Sequence, residues 1–370
     1  MKKLHIGMII DGLSGGGAER VVVTLAGAMA DRGHHVTLVS LRPEQDYLLP
    51  DNVEYLLVKD QYSGPLRRQS EILRRARTLN RVLQKRFGDR PFDLALSNLP
   101  KTDRIVAATP CLAHAWFCLH GAVASTQLAR KSGIKYWMKQ RQLVRTYQGR
   151  RIVSVSSGLA QDLIELTSAQ PACVKVIPNP FDFELIARLA AAPCPLDGED
   201  FVVHMGRFHE IKRHDRLFAA FLQSGYQGKL VLVGSGNAAE QDRLHRLARQ
   251  MGISDRVHFA GFVSNPFPYL RAAKALVLSS DSEGFGNVLV EALACGTSVI
   301  STRCPYGPEE ILTGELARGL CDLNENALAE TIRSVLDNPP RLHPADLAPY
   351  RLDRIVDCYL ALTESDESTS

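Results

Sequence analysis

The sequence predicts an α/β protein of two domains, each with a mostly parallel β-sheet covered by helices. Three observations support this class. The chain has 370 residues, which is more than one ordinary hydrophobic core accommodates. Apolar, strand-like segments alternate with segments of helical periodicity, which is the pattern of right-handed βαβ units. The alternation ends in a proline-rich stretch near residue 180 and then begins again with a new apolar strand.

The first domain is expected over residues 1–180. Its first strand, KLHIGMII, leads through a glycine-rich turn into a helix that ends at Gly33. The apolar run of this strand has only about five residues, too few for a signal peptide, so we expect a cytoplasmic protein. Further strands are predicted in HHVTLVSL, DLALSNL (93–99), AHAWFCLHG (113–121) and RIVSVSSG (151–158).

The second domain is expected over residues 181–349, after a linker rich in proline. A last helix near 350–363 has one apolar face, so it is expected to pack back on the first domain. Strands of the second domain are predicted within 201–207, 229–236, 256–263, 275–286 and 298–303, and helices near 214–224, 238–251 and 287–294.

The two halves of the chain differ in charge. Residues 1–180 contain 26 Lys and Arg against 14 Asp and Glu, a net charge of +12, whereas the remainder contains 18 against 26, a net charge of −8. Most of the basic excess lies in 66–90 and 130–151. No apolar run approaches the roughly 20 residues that cross a bilayer. The eight cysteines form no C-x-x-C pair and adjoin no histidine cluster, which disfavours a structural zinc site.

Turns beyond the carboxyl ends of parallel strands are the candidate ligand sites, because open α/β sheets bind ligands there. The segment DGLSGGGAERV (11–21) places Gly15, Gly16 and Gly17 before a helix, where the backbone can approach an anion. The spacing is not G-x-G-x-x-G, and no acidic residue ends the second strand. A dinucleotide site is therefore not favoured.

Charged side chains follow two further strands. In MGRFHEIKRHDRL, Arg207 follows a strand directly and Lys212 lies five residues later. These are either solvated surface cations or a pair that neutralises a diphosphate. In FCLHG, His120 ends an almost wholly apolar strand. It is either a satisfied core residue or a residue of a ligand cleft.

The segment SSDSEGFGNVLVEALACG (279–296) carries Glu283 and Glu291, eight residues apart. The two glutamates suggest a catalytic carboxylate pair, an ordinary helix start or a site for an anionic ligand. Acidic residues near a helix N-terminus are common for electrostatic reasons alone. A plain helix start does not require Gly284, Gly286 and a glutamate in the preceding loop, so the anion site is favoured.

In this order and spacing, these segments resemble the retaining glycosyltransferases of the GT-B fold, specifically glycosyltransferase family 4. The resemblance covers nearly the whole chain. Its signature is Glu-x7-Glu, here Glu283-GFGNVLV-Glu291, followed by ALACGTSVISTRCPYGPEEIL. The segments GGGAER, VSSG and VIPNP, the strand-end His120, and GR-x4-K at 206–212 also match. The resemblance implies two Rossmann-like domains that face each other across a cleft.

The resemblance also implies a role for each residue. Arg207 and Lys212 would hold the diphosphate of a nucleotide sugar, Glu291 would bind the ribose and Glu283 the transferred sugar. The other implied donor-site residues are Asn287 and Val288 with their helical amides, Gly286 at the start of that helix, Phe262 and Val263 beside the nucleobase, His120 at the sugar or diphosphate, and the Gly15–Gly17 turn, where donor and acceptor phosphates come close.

The implied reaction is retaining transfer from a nucleotide sugar, with UDP as the expected nucleotide. Transfer would proceed on one face of the sugar, with the leaving diphosphate helping to deprotonate the acceptor. No metal and no cofactor are expected, because placement and charge stabilisation by the protein suffice in such a scheme. A hydrolytic carboxylate pair is not favoured, since each glutamate is assigned to a different part of the ligand.

The first domain would bind the acceptor, expected to be a glycan or a lipid-linked glycan, phosphorylated or not, of lipopolysaccharide or polysaccharide biosynthesis. Its basic segments are either solvated helix faces or a contact with anionic lipid on the inner face of the cytoplasmic membrane. The residues concerned are Arg67, Arg68, Arg74, Arg75, Arg77, Arg81, Lys85 and Arg86, with Tyr136, Trp137 and Met138 in the second segment.

Two alternatives remain open from the sequence. One is a nucleotide-sugar epimerase on the same scaffold, which would need acid and base groups at a sugar carbon. The other is a nucleic-acid-binding protein, suggested by the arginine-rich helix. The second alternative is less favoured, because no nucleic-acid module is recognised and the second domain is acidic, so no nucleic-acid partner is expected.

Overall fold

The computed structural model describes residues 2–14, 16–62, 64, 67–129 and 131–363, and of 67–69 it describes the backbone alone. Contacts within the chain divide it into two compact units. The first unit comprises Met1–Pro180 and Leu352–Ser370, and the second comprises Phe181–Arg351. Among the described residues, no helix is both long enough and apolar enough to cross a membrane.

A parallel sheet forms the centre of the first unit. In the described part of the chain its strand order is β3-β2-β1-β4-β5-β6-β7, and all neighbours are parallel. The strands are β1 (His5–Ile10), β2 (His35–Ser40), β3 (Glu54–Leu57), β4 (Leu94–Asn98), β5 (Trp116–Leu119), β6 (Arg151–Ser154) and β7 (Cys173–Val176). The helices are α1 (Gly17–Asp31), α2 (Arg67–Phe87), α3 (Pro100–Val106), α4 (Val123–Leu128), α5 (Gly133–Tyr147) and α6 (Ser157–Thr167).

Alternate residues of β1 point to opposite faces of this sheet, as the strand period of two requires. Ile9 packs into one core with α2, α3 and α5. Met8 and Ile10 pack into the other core with α1. Both faces of the sheet are therefore covered, which explains why β1 is apolar along nearly its whole length.

A second parallel sheet forms the centre of the second unit. Its strand order in the described residues is β10-β9-β8-β11-β12-β13. The strands are β8 (Phe201–Met205), β9 (Lys229–Val233), β10 (Val257–Gly261), β11 (Ala275–Leu278), β12 (Ser298–Thr302) and β13 (Leu320–Cys321). The helices are α7 (Phe183–Ala190), α8 (His214–Gln223), α9 (Ala238–Gln250), α10 (Phe267–Ala272), α11 (Asn287–Ala294), α12 (Pro308–Ile311), α13 (Glu325–Asp337) and α14 (Pro344–Leu347).

The last helix, α15 (Leu352–Leu360), belongs to the first unit. Its buried residues Ile355, Val356 and Tyr359 join the core that contains α1. The Arg32 guanidinium, just after α1, pairs with Asp357 and donates a hydrogen bond to the Asp353 carbonyl at 2.6 Å. The apolar face seen in the sequence is thus buried within the first unit.

The α/β class and the two Rossmann-like parallel sheets are confirmed. Three strands were absent from the sequence-based prediction: β3, β7 and β13. The first two lie at the edges of the first sheet and the third at an edge of the second. Their residues are partly exposed or too few to give an apolar run, since β3 is half-buried throughout and β13 has two residues.

Candidate functional site

The candidate site of the second unit lies beyond the carboxyl ends of β8 and β11. These strands are neighbours in the sheet. From β8 the chain proceeds outward through β9 and β10, and from β11 it proceeds the other way through β12 and β13. The sheet therefore changes direction between β8 and β11, which is the place where open α/β sheets bind ligands.

The turns after these two strands bring Lys212 and Glu283 together. The Lys212 ammonium donates to Glu283 Oε1 at 2.6 Å, and the Ser280 hydroxyl donates to the same oxygen at 2.6 Å. Both charged side chains are largely buried, with 18% of Lys212 and 12% of Glu283 exposed. Solvent screens the attraction within an ion pair in such surroundings only weakly.

Further contacts fasten the two turns to each other. The Asp281 amide donates to the Ile211 carbonyl at 2.8 Å, and the Ser279 hydroxyl donates to the Lys212 carbonyl at 2.7 Å. These bonds fix the backbone on both sides of the ion pair. The positions of Lys212 and Glu283 are thereby coupled.

Two arginines on the α8 side complete this connection. Arg213 NH1 lies 3.0 Å from Asp281 Oδ2, and Arg216 NH2 lies 2.7 Å from Asp281 Oδ1. Arg216 also donates to the Ser279 carbonyl at 2.9 Å. The carboxylate of Asp281 thus binds both arginines. We refer to Arg213, Arg216 and Asp281 as the arginine bridge.

The turn after β11 ends in a tightly built helix start. Gly286 precedes α11 with φ of 92°, a left-handed conformation that favours glycine. Gly307 lies against this turn, and a Cβ there would be 1.9 Å from the Phe285 carbonyl oxygen. The first amides of a helix have no acceptor within the helix, and the first turn of α11, NVLV, has no acidic side chain. The N-terminus of α11, at Asn287 and Val288, therefore favours an anion.

The other predicted residues of this unit are distributed around the same strand ends. Arg207 is exposed and follows β8, whereas Glu291 is buried within α11 with 5% of its surface exposed. Phe262 follows β10 and is 80% exposed, and Val263 beside it is half-buried. An aromatic ring so exposed beyond a strand end is available to stack on a planar ligand.

Two buried histidines lie beneath the ion pair and were not singled out from the sequence. His204 of β8 hydrogen-bonds the Val277 carbonyl of β11 through Nδ1 at 2.9 Å, and its ring packs edge-on against His214 at 4.9 Å. Burial lowers the pKa of His204 to about 4 and that of His214 to about 2. Both rings are thus neutral near pH 7, and Lys212 is the cation at this place.

In the first unit, the glycine turn follows β1. Gly15 lies outside the described residues. Gly16 caps α1 without a side-chain bond, its carbonyl accepts from the Tyr47 hydroxyl at 2.9 Å, and Gly17 is exposed. A Cβ on Gly16 would lie 2.2 Å from Glu19 Oε2, so the side chain of Glu19 folds over the turn.

His120 follows β5 in the same unit. Its Nε2 lies 2.9 Å from Asn98 Oδ1, so Nε2 carries the proton and Nδ1 is left as an acceptor. Burial lowers the pKa of His120 to about 4, which keeps the ring neutral at physiological pH. Asn98 ends β4, the neighbour of β5, and was not identified from the sequence. Its position at a strand end was the only signal available.

Comparison with known families accounts for nearly the whole chain. The model of "Glycosyltransferase Family 4" matches residues 15–185, and the model of "Glycosyl transferases group 1" matches residues 193–350. The chain belongs to the family-4 type of glycosyltransferase with the GT-B fold.

Two characterised relatives illustrate the range of the family. The chain is 29% identical over 188 residues to N-acetylgalactosamine-N,N'-diacetylbacillosaminyl-diphospho-undecaprenol 4-alpha-N-acetylgalactosaminyltransferase of Campylobacter jejuni, covering 50% of this chain and 51% of that protein. It is 35% identical over 174 residues to the lipopolysaccharide core biosynthesis glycosyltransferase LpsE of Rhizobium meliloti, covering 44% and 49%. The matched part spans about half the length of these relatives.

Solved structures resemble the chain over almost its full length. HepE of Anabaena, in complex with UDP and glucose, gives a TM-score of 0.70 at 20% identity and covers 99% of both chains. The lipopolysaccharide outer core galactosyltransferase WaaB, in its apo form, gives a TM-score of 0.72 at 17% identity and covers 98% of this chain and 99% of its own. At these identities the likeness concerns the fold.

Proposed function

We propose that the protein is a retaining glycosyltransferase that moves a sugar from a UDP-sugar to a glycan or lipid-linked acceptor in bacterial lipopolysaccharide or polysaccharide biosynthesis. The observation that carries this proposal is the buried Lys212–Glu283 pair at the point where the second sheet changes direction, directly before the N-terminus of α11. This arrangement offers a cation and helical amides to a diphosphate and a carboxylate to sugar hydroxyls.

Each part of a nucleotide sugar has a counterpart in the second unit. In this proposal Lys212, Arg207 and the first amides of α11 bind the diphosphate and stabilise the charge that develops as it leaves. Glu291 accepts hydrogen bonds from the ribose, Phe262 packs on the base and Glu283 orients the transferred sugar. No metal is required, because the cations and amides supply the positive charge that a metal ion would otherwise provide.

The reported relatives support the classes of donor and acceptor. One is named for a lipid-linked substrate, a diphospho-undecaprenol, and another for the lipopolysaccharide core. The Anabaena neighbour is described with UDP and glucose. None of these names gives support to the epimerase alternative.

Nucleotide binding provides the first test. UDP in the presence of EDTA is expected to raise the melting temperature, because a ligand that binds only the folded state stabilises it by mass action. Glu291→Gln is expected to weaken UDP binding about tenfold, since it removes a charged acceptor for the ribose hydroxyls. Both effects are measured by thermal shift and by isothermal titration calorimetry.

Glu310→Gln is a suitable control, because Glu310 is an exposed carboxylate in α12 of the same unit. This variant should bind UDP as the unchanged protein does. Failure of every nucleoside diphosphate and nucleotide sugar to shift the melting temperature would contradict the proposal. So would equal UDP affinity of Glu291→Gln and the control.

We also propose that the first unit contacts the anionic inner face of the cytoplasmic membrane, and that α5 makes this contact. Ile134, Trp137 and Met138 are 73%, 53% and 60% exposed. Arg141 and Arg145 continue the same exposed stripe at helical spacing, and Arg141 lies over the Trp137 ring at 5.1 Å. Exposed apolar residues beside cations are typical of helices that lie in a membrane interface.

The basic helix α2 contributes less to such a contact than its sequence suggests. Arg74 donates to Asp60 at 2.9 Å, Arg75 to Asp11 at 2.9 Å, and Arg86 pairs with Glu54. These cations are therefore already neutralised within the first unit. The exposed cations of α2 other than Arg86 are Arg77, Arg81 and Lys85, and the side chains of Arg67 and Arg68 lie outside the described residues.

Flotation with phosphatidylglycerol vesicles tests the membrane contact. The unchanged protein is expected to float at low salt and to be released by high salt, because about 1 kcal/mol per basic residue is screened. The double variant Trp137→Ser, Met138→Ser is expected to lose most of this binding. Leu222→Ser removes an exposed apolar residue of α8 and serves as the control. Equal flotation of all three proteins would contradict the role of α5.

A further inference from the structure

A cluster of polar side chains lies at the amino ends of strands in the first sheet. The glycine turn and His120 lie at the other end of this sheet, beyond the carboxyl ends of its strands. His5, His35 and Glu54 are the first residues of β1, β2 and β3. His5 is directly opposite His35 in the ladder, and Glu54 is opposite Thr37, two residues after His35. Because residues two apart on a strand share a face, all four side chains lie on one face of the sheet.

The polar atoms of this cluster converge. One ligand atom each from His5, His35 and Glu54 lies within 4.8 Å of the other two. His35 Nε2 is 3.2 Å from Glu54 Oε2, and His5 Nε2 is 2.9 Å from Thr37 Oγ1. The Thr37 hydroxyl in turn donates to Glu54 Oε2 at 2.8 Å. Among the residues that the structure describes, the His, Cys, Asp and Glu side chains that lie close enough together to share a metal ion are these three.

Neighbouring groups hold these side chains in place. The rings of His5 and His35 stack at 4.4 Å, and the edges of Phe87 and Phe92 pack against His5 at 4.8 Å. The remaining oxygen of Glu54 pairs with Arg86. Second contacts of this kind orient the ligands of known metal sites and restrict their rotation.

We propose that His5, His35 and Glu54 bind a divalent zinc-type ion, with water at the fourth position. Two imidazoles and one carboxylate form a ligand set that Zn²⁺ accepts, and bonds of about 2.0–2.2 Å place tetrahedral ligands roughly 3.3–3.5 Å apart. The His35–Glu54 separation is already close to this value. His5 is the third ligand, and its ring must turn within its aromatic contacts to come into range. Its Nε2 then loses its proton and exchanges the hydrogen bond with Thr37 for the metal, while Thr37 remains a hydrogen-bond donor to Glu54.

The proposed ion would tie three parallel strands together where each begins. It lies at the amino ends of the strands, whereas the glycine turn and His120 lie beyond their carboxyl ends. The ion therefore stabilises the first unit and takes no part in the proposed sugar transfer. The proposed sugar transfer needs no metal, and zinc binding at the amino ends of the strands is independent of it. The two proposals are therefore tested separately.

Zinc binding is measured on the full chain after removal of any affinity tag and of bound metal by EDTA. We expect about one equivalent of Zn²⁺ by calorimetry, a rise in melting temperature with Zn²⁺ but not with Mg²⁺, and the visible spectrum of four-coordinate Co²⁺. His35→Ala and Glu54→Gln should each weaken binding about tenfold or more. Both positions are partly exposed, so these variants are expected to fold.

His258→Ala is the matched control, because His258 is an exposed histidine on a strand of the other sheet. It should bind Zn²⁺ as tightly as the unchanged protein. The proposal is overturned if the unchanged protein shows no saturable Zn²⁺ binding. It is also overturned if His35→Ala and Glu54→Gln bind Zn²⁺ with the same affinity as the control.

Discussion

Glu283→Gln is expected to reduce sugar transfer by about 100-fold or more, while UDP binds at least as tightly as it does to the unchanged protein. The loss follows because, in the proposed function, the carboxylate orients the sugar, and removing one well-placed group of this kind costs about two orders of magnitude. Binding of UDP is retained because the substitution removes the ion-pair partner of Lys212. The ammonium is then available to the diphosphate without competition.

A loss of transfer with UDP binding retained distinguishes this prediction from simple damage to the site. Transfer is measured with radiolabelled UDP-sugar and a membrane or lipopolysaccharide acceptor fraction, and UDP affinity is measured by calorimetry. Glu309→Gln, which alters an exposed glutamate that pairs with Arg303, is the control and should leave both quantities unchanged. A Glu283→Gln protein with full transfer activity would contradict the role of this residue.

Asp103→Asn is expected to become progressively more stable than the unchanged protein as the pH rises. Asp103 is fully buried and accepts hydrogen bonds from Ser97 at 2.6 Å and Tyr147 at 2.7 Å. Burial raises the pKa of Asp103 to about 7, against an ordinary value of 3.8, and the two hydrogen bonds only partly oppose this rise. The folded protein therefore holds a proton between pH 4 and pH 7 that the unfolded chain releases.

The sign of the effect follows from this difference. Because the folded state binds more protons, the contribution of Asp103 to the free energy of unfolding is greatest below the unfolded pKa and decreases until the pH exceeds 7. Asparagine does not titrate, so the difference in unfolding free energy between variant and parent should shift by roughly 2–3 kcal/mol in favour of the variant between pH 5 and pH 8.

Urea unfolding at a series of pH values measures this difference. The difference in unfolding free energy between the two proteins excludes the contributions of all other titrating groups, because both proteins contain those groups. Glu165→Gln replaces an exposed carboxylate of the same unit and should show no such trend. A difference between Asp103→Asn and its parent that is constant with pH would show that Asp103 is ionised in the folded state throughout this range.

The parts of the fold that the sequence predicted well are those with strong local signals. The central strands of both sheets are apolar on both faces, and they were expected close to where they occur. β3 and β7 were missed because edge strands are half-exposed and lack a continuous apolar run. The GT-B resemblance assigned residues of distant segments to one donor site, which periodicity alone could not do.

The resemblance assigned a role to each site residue, and those roles remain predictions, but it gave none of the contacts between these residues. Lys212 and Glu283 were assigned to different parts of the ligand, and two residues 71 positions apart in the sequence gave no indication that they pair directly. The same limit applies to Arg75, which the sequence placed among lipid-binding cations and the structure places on Asp11. Which charged side chains pair with each other depends on the tertiary structure. Local patterns in a single sequence do not show it.

The arginine bridge has a consequence for attempts to change the donor sugar. Because Arg213 and Arg216, at the start of α8, bind Asp281 in the turn after β11, we expect the shape of each segment to depend on the other. A graft of 279–286 that lacks an acidic residue at the position of Asp281 would leave Arg216 without its carboxylate partner and Arg213 with Asp215 alone. We therefore expect a chimeric enzyme with a new donor specificity to keep its fold at this site only when segments 206–216 and 279–286 are exchanged together.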